Sequence, residues 1–88
     1  MNIINSDNQY QRLMEKYREN YGLPFRRFAS DINANLPADF GFQMGHWYAI
    51  YRGKYKPDYY AMWYLSQCGT GWVRDFAADM LAALEGRA

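Results

Sequence analysis

Apolar residues recur at spacings of three and four along most of the chain, and this period predicts amphipathic α-helices. Ser6 or Asp7 is placed to cap a first helix, and Gly22 to end it through a left-handed backbone conformation. Pro24 suits the first turn of a second helix, where its missing N–H costs no hydrogen bond. The apolar stripe of the first helix comprises Tyr10, Leu13, Met14, Tyr17 and Tyr21. The stripe of the second comprises Phe25, Phe28, Ala29, Ile32 and Leu36, and Pro37 follows it.

A third helix is predicted beyond NLPADFG, a segment rich in turn-forming residues. This helix runs from Gln43 to Tyr51, with Trp47, Ile50 and Tyr51 facing inward. Gly53 follows its last turn, where a glycine with a positive φ angle allows the backbone to reverse. We therefore expect the helix to end there and a turn to begin.

The fourth and fifth helices are the most apolar segments of the chain. Pro57 and Asp58 open the fourth, YYAMWYLSQC, and Gly69 closes it. Thr70 then caps the fifth helix. Its wide apolar face comprises Trp72, Val73, Phe76, Ala77, Met80, Leu81 and Leu84. Since no segment shows the two-residue alternation of a β-strand, we predict an all-α fold. Residues 1–88 would form one compact domain of five short helices that cross at substantial angles.

The composition limits the class of protein. Half of the residues are hydrophobic and 19% are aromatic, which indicates core packing because large rings bury much area in a small chain. Cys68 is the sole cysteine, so neither an intramolecular disulfide nor a cysteine-based metal cluster is expected. No stretch approaches the roughly 18 apolar residues of a membrane span, and residues 1–7 lack the features of a signal peptide. We therefore expect a soluble, cytoplasmic protein.

The titratable residues do not form a recognisable catalytic set. His46 is the single histidine, and no carboxylate lies closer to it along the chain than Asp39. Asp75 and Asp79 lie one helical turn apart, but no third ligand is spaced to complete a metal site, and they indicate a solvated acidic face. A glycine-rich phosphate loop and a dinucleotide fingerprint are also missing from the sequence. These observations predict a non-enzymatic protein with no catalytic residue, metal, cofactor or small-molecule substrate.

The net charge of +1 conceals an uneven distribution of charged residues. Residues 8–57 contain eight bases and four acids, whereas residues 58–88 contain two bases and four acids. No acid occurs from Phe40 to Pro57, and the stretch AIYRGKYKPD, which ends at Asp58 just past that segment, places three bases among tyrosines. Concentrated positive charge in one part of a small domain favours a polyanion as the partner.

Two neighbouring segments carry the pattern of a helix-turn-helix. In the first, LPFRRFASDIN, Phe28 and Ala29 stand where a scaffold helix packs closely on the helix that follows it. In the second, GFQMGHWYAIYRGKYKPD, Gly41 and Phe42 form the pair of a glycine and an apolar residue that marks the turn.

The remainder of the second segment has the pattern of a recognition helix. Trp47 and Ile50 are apolar positions three apart, and a basic, glycine-containing loop closed by Pro57 follows them. Residues 23–58 therefore resemble the helix-turn-helix domain of the phage lambda repressor and Cro-like (XRE-type) superfamily. The connection formed by residues 33–41 is longer than is usual in that family, which implies an extended turn between helices 2 and 3.

The resemblance implies a sequence-specific DNA-binding transcriptional regulator of phage or bacterial type, nucleoid-associated when bound. Its recognition helix, about residues 43–51, would enter the major groove of double-stranded DNA. The basic loop 52–57 would lie beside the flanking phosphates. By position, the base-facing residues are Gln43, Met44, His46 and Tyr48. The phosphate-binding residues are Arg26, Arg27, Arg52, Lys54, Tyr55 and Lys56.

Two questions stay open at this stage. The wide face of the fifth helix suits either the core alone or a core shared with a homodimer interface formed by Trp72, Phe76, Met80 and Leu84. The base-facing positions contain few side chains capable of paired hydrogen bonds to a base. The alternative function is therefore a protein-interaction module on the same fold, such as an antitoxin-like, anti-regulatory or phage assembly component with little or no DNA binding.

Overall fold

The computed structural model describes residues 8–40 and 44–86, and within these ranges the chain forms five α-helices without a β-strand. The helices are α1 (Gln9–Tyr21), α2 (Phe25–Ala34), α3 (Met44–Tyr51), α4 (Tyr59–Cys68) and α5 (Gly71–Leu84). A short 3₁₀ helix, Ala38–Phe40, lies in the connection between α2 and α3. The predicted all-α class and the five helices are confirmed.

The C-terminal end of α1 confirms the prediction for Gly22, and its N-cap is a residue that the sequence analysis did not name. Gly22 adopts a φ of 63°, and the N–H of Leu23 donates to the carbonyl of Arg18, which is the Schellman ending expected of a C-terminal glycine. The N-cap is Asn8, whose side-chain oxygen accepts from the N–H groups of Tyr10 and Gln11 at 3.0 and 3.1 Å. The predicted caps at residues 6 and 7 lie outside the described residues.

Helix α2 ends at Ala34, before the predicted limit at Leu36. The Asn35 side chain accounts for the junction, because its Nδ2 donates to the carbonyl of Asp31 while its Oδ1 accepts from both the N–H and the hydroxyl of Thr70. Thr70 stands at the N-cap position of α5 but makes no side-chain cap bond to that helix. Its predicted capping role is thus corrected: the hydroxyl ties the start of α5 to the end of α2.

The boundaries of α4 agree with the sequence prediction. Asp58 caps the helix, since its Oδ2 accepts from the N–H of Ala61 at 2.9 Å. Gly69 ends it at a point of close approach, where an added Cβ would lie only 2.5 Å from the carbonyl oxygen of Leu65. A side chain at this position would force the α4–α5 connection apart.

The core is built around α5, which packs against both α1 and α4, while α3 packs against α1 and α2. Aromatic rings fill much of its centre. The Phe28 ring stacks on Trp72 at 5.3 Å and meets Phe76 edge-on at the same centroid distance. The largest fully buried side chains are Trp47, Phe28, Phe76, Met14, Ile32, Ile50, Met62, Leu65 and Met80.

Burial on α5 corrects the predicted dimer face. Phe76 and Met80 have no exposed surface within the single chain, so neither is available to contact a second copy. Trp72 and Leu84 are only partly buried, but both pack against the same core. The wide apolar face of α5 is therefore used mainly inside the domain.

One polar contact links α1 to α5 at the edge of this core. The Tyr17 hydroxyl donates to Asp79 Oδ2 at 2.7 Å, so Asp79 does not belong to a purely solvated acidic face. Burial, followed by the hydrogen bond to Asp79, raises the pKa of Tyr17 well above its ordinary value. The tyrosine therefore stays protonated in the folded protein under conditions that ionise it in the unfolded chain.

We expect Tyr17→Phe to lower the free energy of unfolding by about 1 kcal/mol near neutral pH, because it deletes the hydrogen bond to Asp79. The raised pKa of Tyr17 also determines how the stability of the protein changes with pH. The stabilisation is complete below the unfolded pKa of about 10 and decreases as the pH rises above it. Tyr17→Phe should therefore lose less stability than the wild type between about pH 9 and pH 11.

Urea denaturation at several pH values measures both effects. Tyr60→Phe is the matched control, since the Tyr60 side chain is 70% exposed and the same chemical change should there be neutral. If Tyr17→Phe and the wild type lose the same amount of stability between about pH 9 and pH 11, ionisation of Tyr17 does not cause the loss.

Candidate nucleic-acid interface

The orientation of α3 is determined by its buried side. Trp47 and Ile50 are fully buried, as predicted, and the Trp47 indole Nε1 donates to Asn33 Oδ1 of α2 at 3.1 Å. With these residues inward, Tyr48 on α3 and Arg52 just after it are exposed. The surface of α3 that is available to a ligand is therefore defined by packing within the domain.

A glycine turn follows α3. Gly53 has a φ of 85°, its N–H donates to the carbonyl of Ile50 at 3.0 Å, and the N–H of Lys54 donates to the carbonyl of Ala49 at 2.9 Å. These two bonds form a Schellman motif, which confirms that Gly53 ends the helix. The chain reverses here and continues as a basic loop in which Lys54, Tyr55 and Lys56 are all exposed.

A stack of three side chains joins α2 to the outer side of α3. The Phe25 ring lies 4.3 Å from the Tyr48 ring with an interplanar angle of 14°, and the Arg52 guanidinium carbon lies 5.8 Å from the Tyr48 centroid. Phe25 is the first residue of α2, and Arg26 and Arg27 follow it directly. The stack therefore places the basic start of α2 beside the basic end of α3.

The first turn of α2 carries two exposed arginines. Arg27 Nε contacts both carboxylate oxygens of Asp31 at 3.1 and 3.2 Å, so part of its charge is neutralised within the helix. Arg26 is exposed beside it. Pro24, at the N-cap position, provides no side-chain hydrogen bond to the first turn. The positive end of this helix dipole thus faces outward together with two cationic side chains.

His46 takes part in holding the loop against α3. Its ring stacks on that of Tyr55 at 6.0 Å with an interplanar angle of 16°. His46 is only half-exposed, whereas the Tyr55 side chain is 60% exposed. The predicted base-facing histidine therefore also acts as a support for a predicted phosphate-contacting tyrosine.

The C-terminal end of α3 is also attached to α1. The Tyr51 hydroxyl donates to Glu15 Oε2, and Glu15 Oε1 pairs with Arg18 at 2.9 Å. The hydrogen bond to Glu15, followed by burial, raises the pKa of Tyr51. Asn8 Nδ2 donates to the Tyr51 carbonyl at 3.4 Å. These contacts hold the last turn of α3 in place just before the basic loop.

The predicted site residues are thus partly brought together. Tyr48, Arg52 and the start of α2 share one stack, and His46 supports Tyr55. Gln43 and the side chain of Met44 lie outside the described part of the chain. The sequence did not reveal that Phe25 stacks on Tyr48, because its place in the apolar stripe of α2 indicated only a core residue.

No protein-family model, curated protein or solved structure matches this chain. Within residues 8–40 and 44–86, no group of three or more His, Cys, Asp or Glu side chains is arranged to bind a metal ion. None of the helices in those ranges is long and apolar enough to cross a membrane.

We expect Gly53→Ala to destabilise the protein by about 1 kcal/mol, because an L-residue at this positive φ places its Cβ against the backbone. Gly53→Asn should cost less, since asparagine tolerates the left-handed region. Gly45→Ala is the control within α3, where an added Cβ meets no atom within 4 Å. Chemical denaturation measures all three variants, and equal stability of Gly53→Ala and wild type would contradict the prediction.

Proposed function

We propose that this chain is a non-enzymatic, sequence-specific DNA-binding transcriptional regulator of the phage repressor and Cro type. In this proposal α3 enters the major groove of double-stranded DNA and the loop of residues 52–57 contacts phosphates. The observation that carries the proposal is the stack of Phe25, Tyr48 and Arg52, because it joins two basic segments distant in the sequence into one surface.

Charge on this surface supports a polyanionic ligand. Arg26, Arg52, Lys54 and Lys56 are all exposed, and the sequence from residue 40 to residue 57 contains no acid. Each phosphate that such a cation neutralises releases condensed counterions, which favours binding at low salt. Arg27 contributes less because Asp31 already engages it.

The backbone around these cations supports the same interpretation. An α-helix fits the major groove of B-DNA, which is ~12 Å wide. In the proposed complex the start of α2 approaches the phosphates on one side of the groove and the loop after Gly53 approaches those on the other. The uncapped first turn of α2 would add its N–H groups and its helix dipole to the contact with phosphate.

Base readout in this proposal depends on few side chains. Tyr48 presents a 41% exposed ring whose position is restricted by Phe25, and His46 is half-buried against Tyr55. Gln43 is suited to adenine and Met44 to a thymine methyl group. With so few direct contacts, sequence-dependent DNA shape would supply part of the specificity.

The second candidate function, a protein-interaction module with little DNA binding, is favoured by exposed aromatic side chains outside the basic surface. Tyr60 and Trp63 of α4 are 70% and 49% exposed. Binding to mixed-sequence duplex at low salt separates the two functions, because an interaction module would show none there.

We expect the double variant Lys54→Glu/Lys56→Glu to weaken binding to every duplex tested. The logarithm of its binding constant should also depend less steeply on the logarithm of salt concentration, with a slope smaller by about 2, because two phosphate contacts are lost. Fluorescence anisotropy with labelled duplex at several salt concentrations measures both quantities.

Lys16→Glu/Arg74→Glu is the matched control, since it makes the same change in net charge at exposed positions on α1 and α5. This control should retain most of the affinity and the wild-type slope. If the two double variants lose affinity equally, net charge and not the basic loop explains binding, and the placement of phosphates on the loop is wrong.

Gln43→Ala is expected to change the preference among DNA sequences and to leave non-specific binding nearly intact, because an adenine contact carries sequence information and a phosphate contact does not. Selection from a random duplex pool, with wild type and variant compared, gives the preference directly. If Gln43→Ala lowers the affinity equally for all DNA sequences, Gln43 does not take part in base readout.

A further inference from the structure

Two exposed tyrosine rings lie beside α3, and each is supported by a second ring. Phe25 stacks on Tyr48 at 4.3 Å with an interplanar angle of 14°, and His46 stacks on Tyr55 at 6.0 Å with an interplanar angle of 16°. Tyr48 is still 41% exposed and Tyr55 60% exposed. Because the supporting ring covers one side, the exposed surface of each tyrosine ring lies on the side away from its support. Both tyrosines thus present restrained aromatic surface to solvent.

The two tyrosines flank α3 on different sides. Trp47 is fully buried and fixes the inward direction of the helix. Successive residues of an α-helix are rotated by about 100°, so His46 and Tyr48 point to opposite sides of Trp47. Tyr55 is stacked on His46 and therefore lies on the flank opposite Tyr48.

The outward face of α3, between these flanks, carries small residues. Gly45 and Ala49 are four residues apart and so share one face, which lies opposite the buried Trp47. A Cβ added at Gly45 would meet no atom within 4 Å, and Ala49 contributes only a methyl group. The outward face of α3 is thus a shallow channel with Gly45 and Ala49 at its floor and Tyr48 and Tyr55 at its sides.

Cations border this channel. The Arg52 guanidinium carbon lies 5.8 Å from the Tyr48 centroid. Lys54 and Lys56 stand on either side of Tyr55 in the sequence, and both are exposed. The sequence from residue 40 to residue 57 contains no acid. Each ring at the side of the channel therefore has positive charge beside it.

The loop that carries Tyr55 is fixed at both ends. At its start, the N–H of Lys54 donates to the carbonyl of Ala49 at 2.9 Å. At its end, Pro57 is buried. Tyr55 is therefore exposed on a restrained loop, and less conformational freedom is lost when a ligand contacts it.

Rings among cations match the chemistry of an unpaired nucleic-acid strand. In a duplex the faces of the bases are stacked on one another, and the grooves offer only base edges. In a single strand the bases can stack on aromatic side chains and on arginine guanidinium planes, while the phosphates contact cations. Cations alone would suit a duplex and a single strand equally, so the exposed ring surfaces favour the single strand.

We infer that the channel along α3 binds a single-stranded nucleic acid. One base stacks on Tyr55, another contacts Tyr48 and Arg52, and the phosphates contact Lys54 and Lys56. The inference uses the basic surface of the proposed function but concerns a different ligand, so it goes beyond that function. The two activities are separable, because a duplex is read through base edges and a single strand is held through base faces.

Fluorescence anisotropy at low salt with a labelled strand of about 12 thymidines tests the inference, since single-strand-binding domains cover ~4–16 nucleotides. The wild type should bind this strand. An abasic strand of the same length keeps the phosphates and lacks the bases, so it should bind at least about tenfold more weakly. Equal affinity for the two strands overturns the inference, because phosphates alone would then explain binding.

The double variant Tyr48→Leu/Tyr55→Leu removes both aromatic rings and should weaken binding to the thymidine strand at least about tenfold. The dependence of its binding constant on salt should stay that of the wild type, because no cation is lost. Tyr48→Phe/Tyr55→Phe is the matched control, since it keeps the rings and deletes only the hydroxyls, and it should bind like the wild type.

Circular dichroism establishes that both variants are folded. A leucine variant that binds the thymidine strand like the wild type overturns the inference. A phenylalanine variant that loses as much affinity as the leucine variant also overturns it, because the hydroxyls and not the rings would then make the contact. The comparison with the abasic strand uses the wild type and does not depend on either variant.

A uridine strand of the same length provides the RNA arm of the experiment. Uridine and thymidine strands present the same kinds of base face and the same phosphates. Binding to either strand supports the inference, and the tighter of the two identifies DNA or RNA as the ligand.

Mixed-sequence duplex DNA, measured with the same proteins, separates the inference from the proposed function. The leucine variant should lose less affinity for the duplex than for the thymidine strand, because the base faces of the duplex are not accessible. A wild type that binds duplex but neither single strand overturns the inference and leaves the proposed function standing. A wild type that binds a single strand but no duplex at low salt supports the inference and contradicts the proposed function.

Discussion

Aromatic packing around α5 is the constraint on which the rest of the structure depends. In a chain of 88 residues a small number of large rings must supply much of the buried area. Phe28 contacts both Trp72 and Phe76, and this contact joins α2 to α5. Because interiors are close-packed, moving one of these rings would displace the helix that carries it. The relative positions of the helices thus follow from how the rings fit together.

The candidate DNA surface is a consequence of that packing. Trp47 is buried and hydrogen-bonded to Asn33, so α3 can present only one side to solvent. Phe25 is itself nearly buried, and its ring forms the platform for Tyr48. A rigid core therefore supports the exposed Tyr48 ring on α3. Such rigidity suits a surface that must match the fixed geometry of a groove, since less conformational freedom is lost on binding.

Other aromatic residues lie at the surface, and the residues around each ring determine what it can contact. Tyr48 and Tyr55 lie among bases and are held by Phe25 and His46, which favours contact with a polyanion. Trp63 lies on a helix without charge, which favours contact with an apolar and neutral surface. The two exposed aromatic surfaces thus differ in local charge and not in the type of ring.

The sequence by itself determined the five helices, their glycine and aspartate boundaries such as Gly53 and Asp58, and the inward direction of Trp47. Periodicity, caps and glycine turns act within a few residues, so they can be recognised without the fold. Only the tertiary structure decided that Thr70 bonds to α2 instead of capping α5, and that Phe25 supports the outer side of α3. These contacts join residues far apart in the chain, and their formation depends on the fit of many side chains at once.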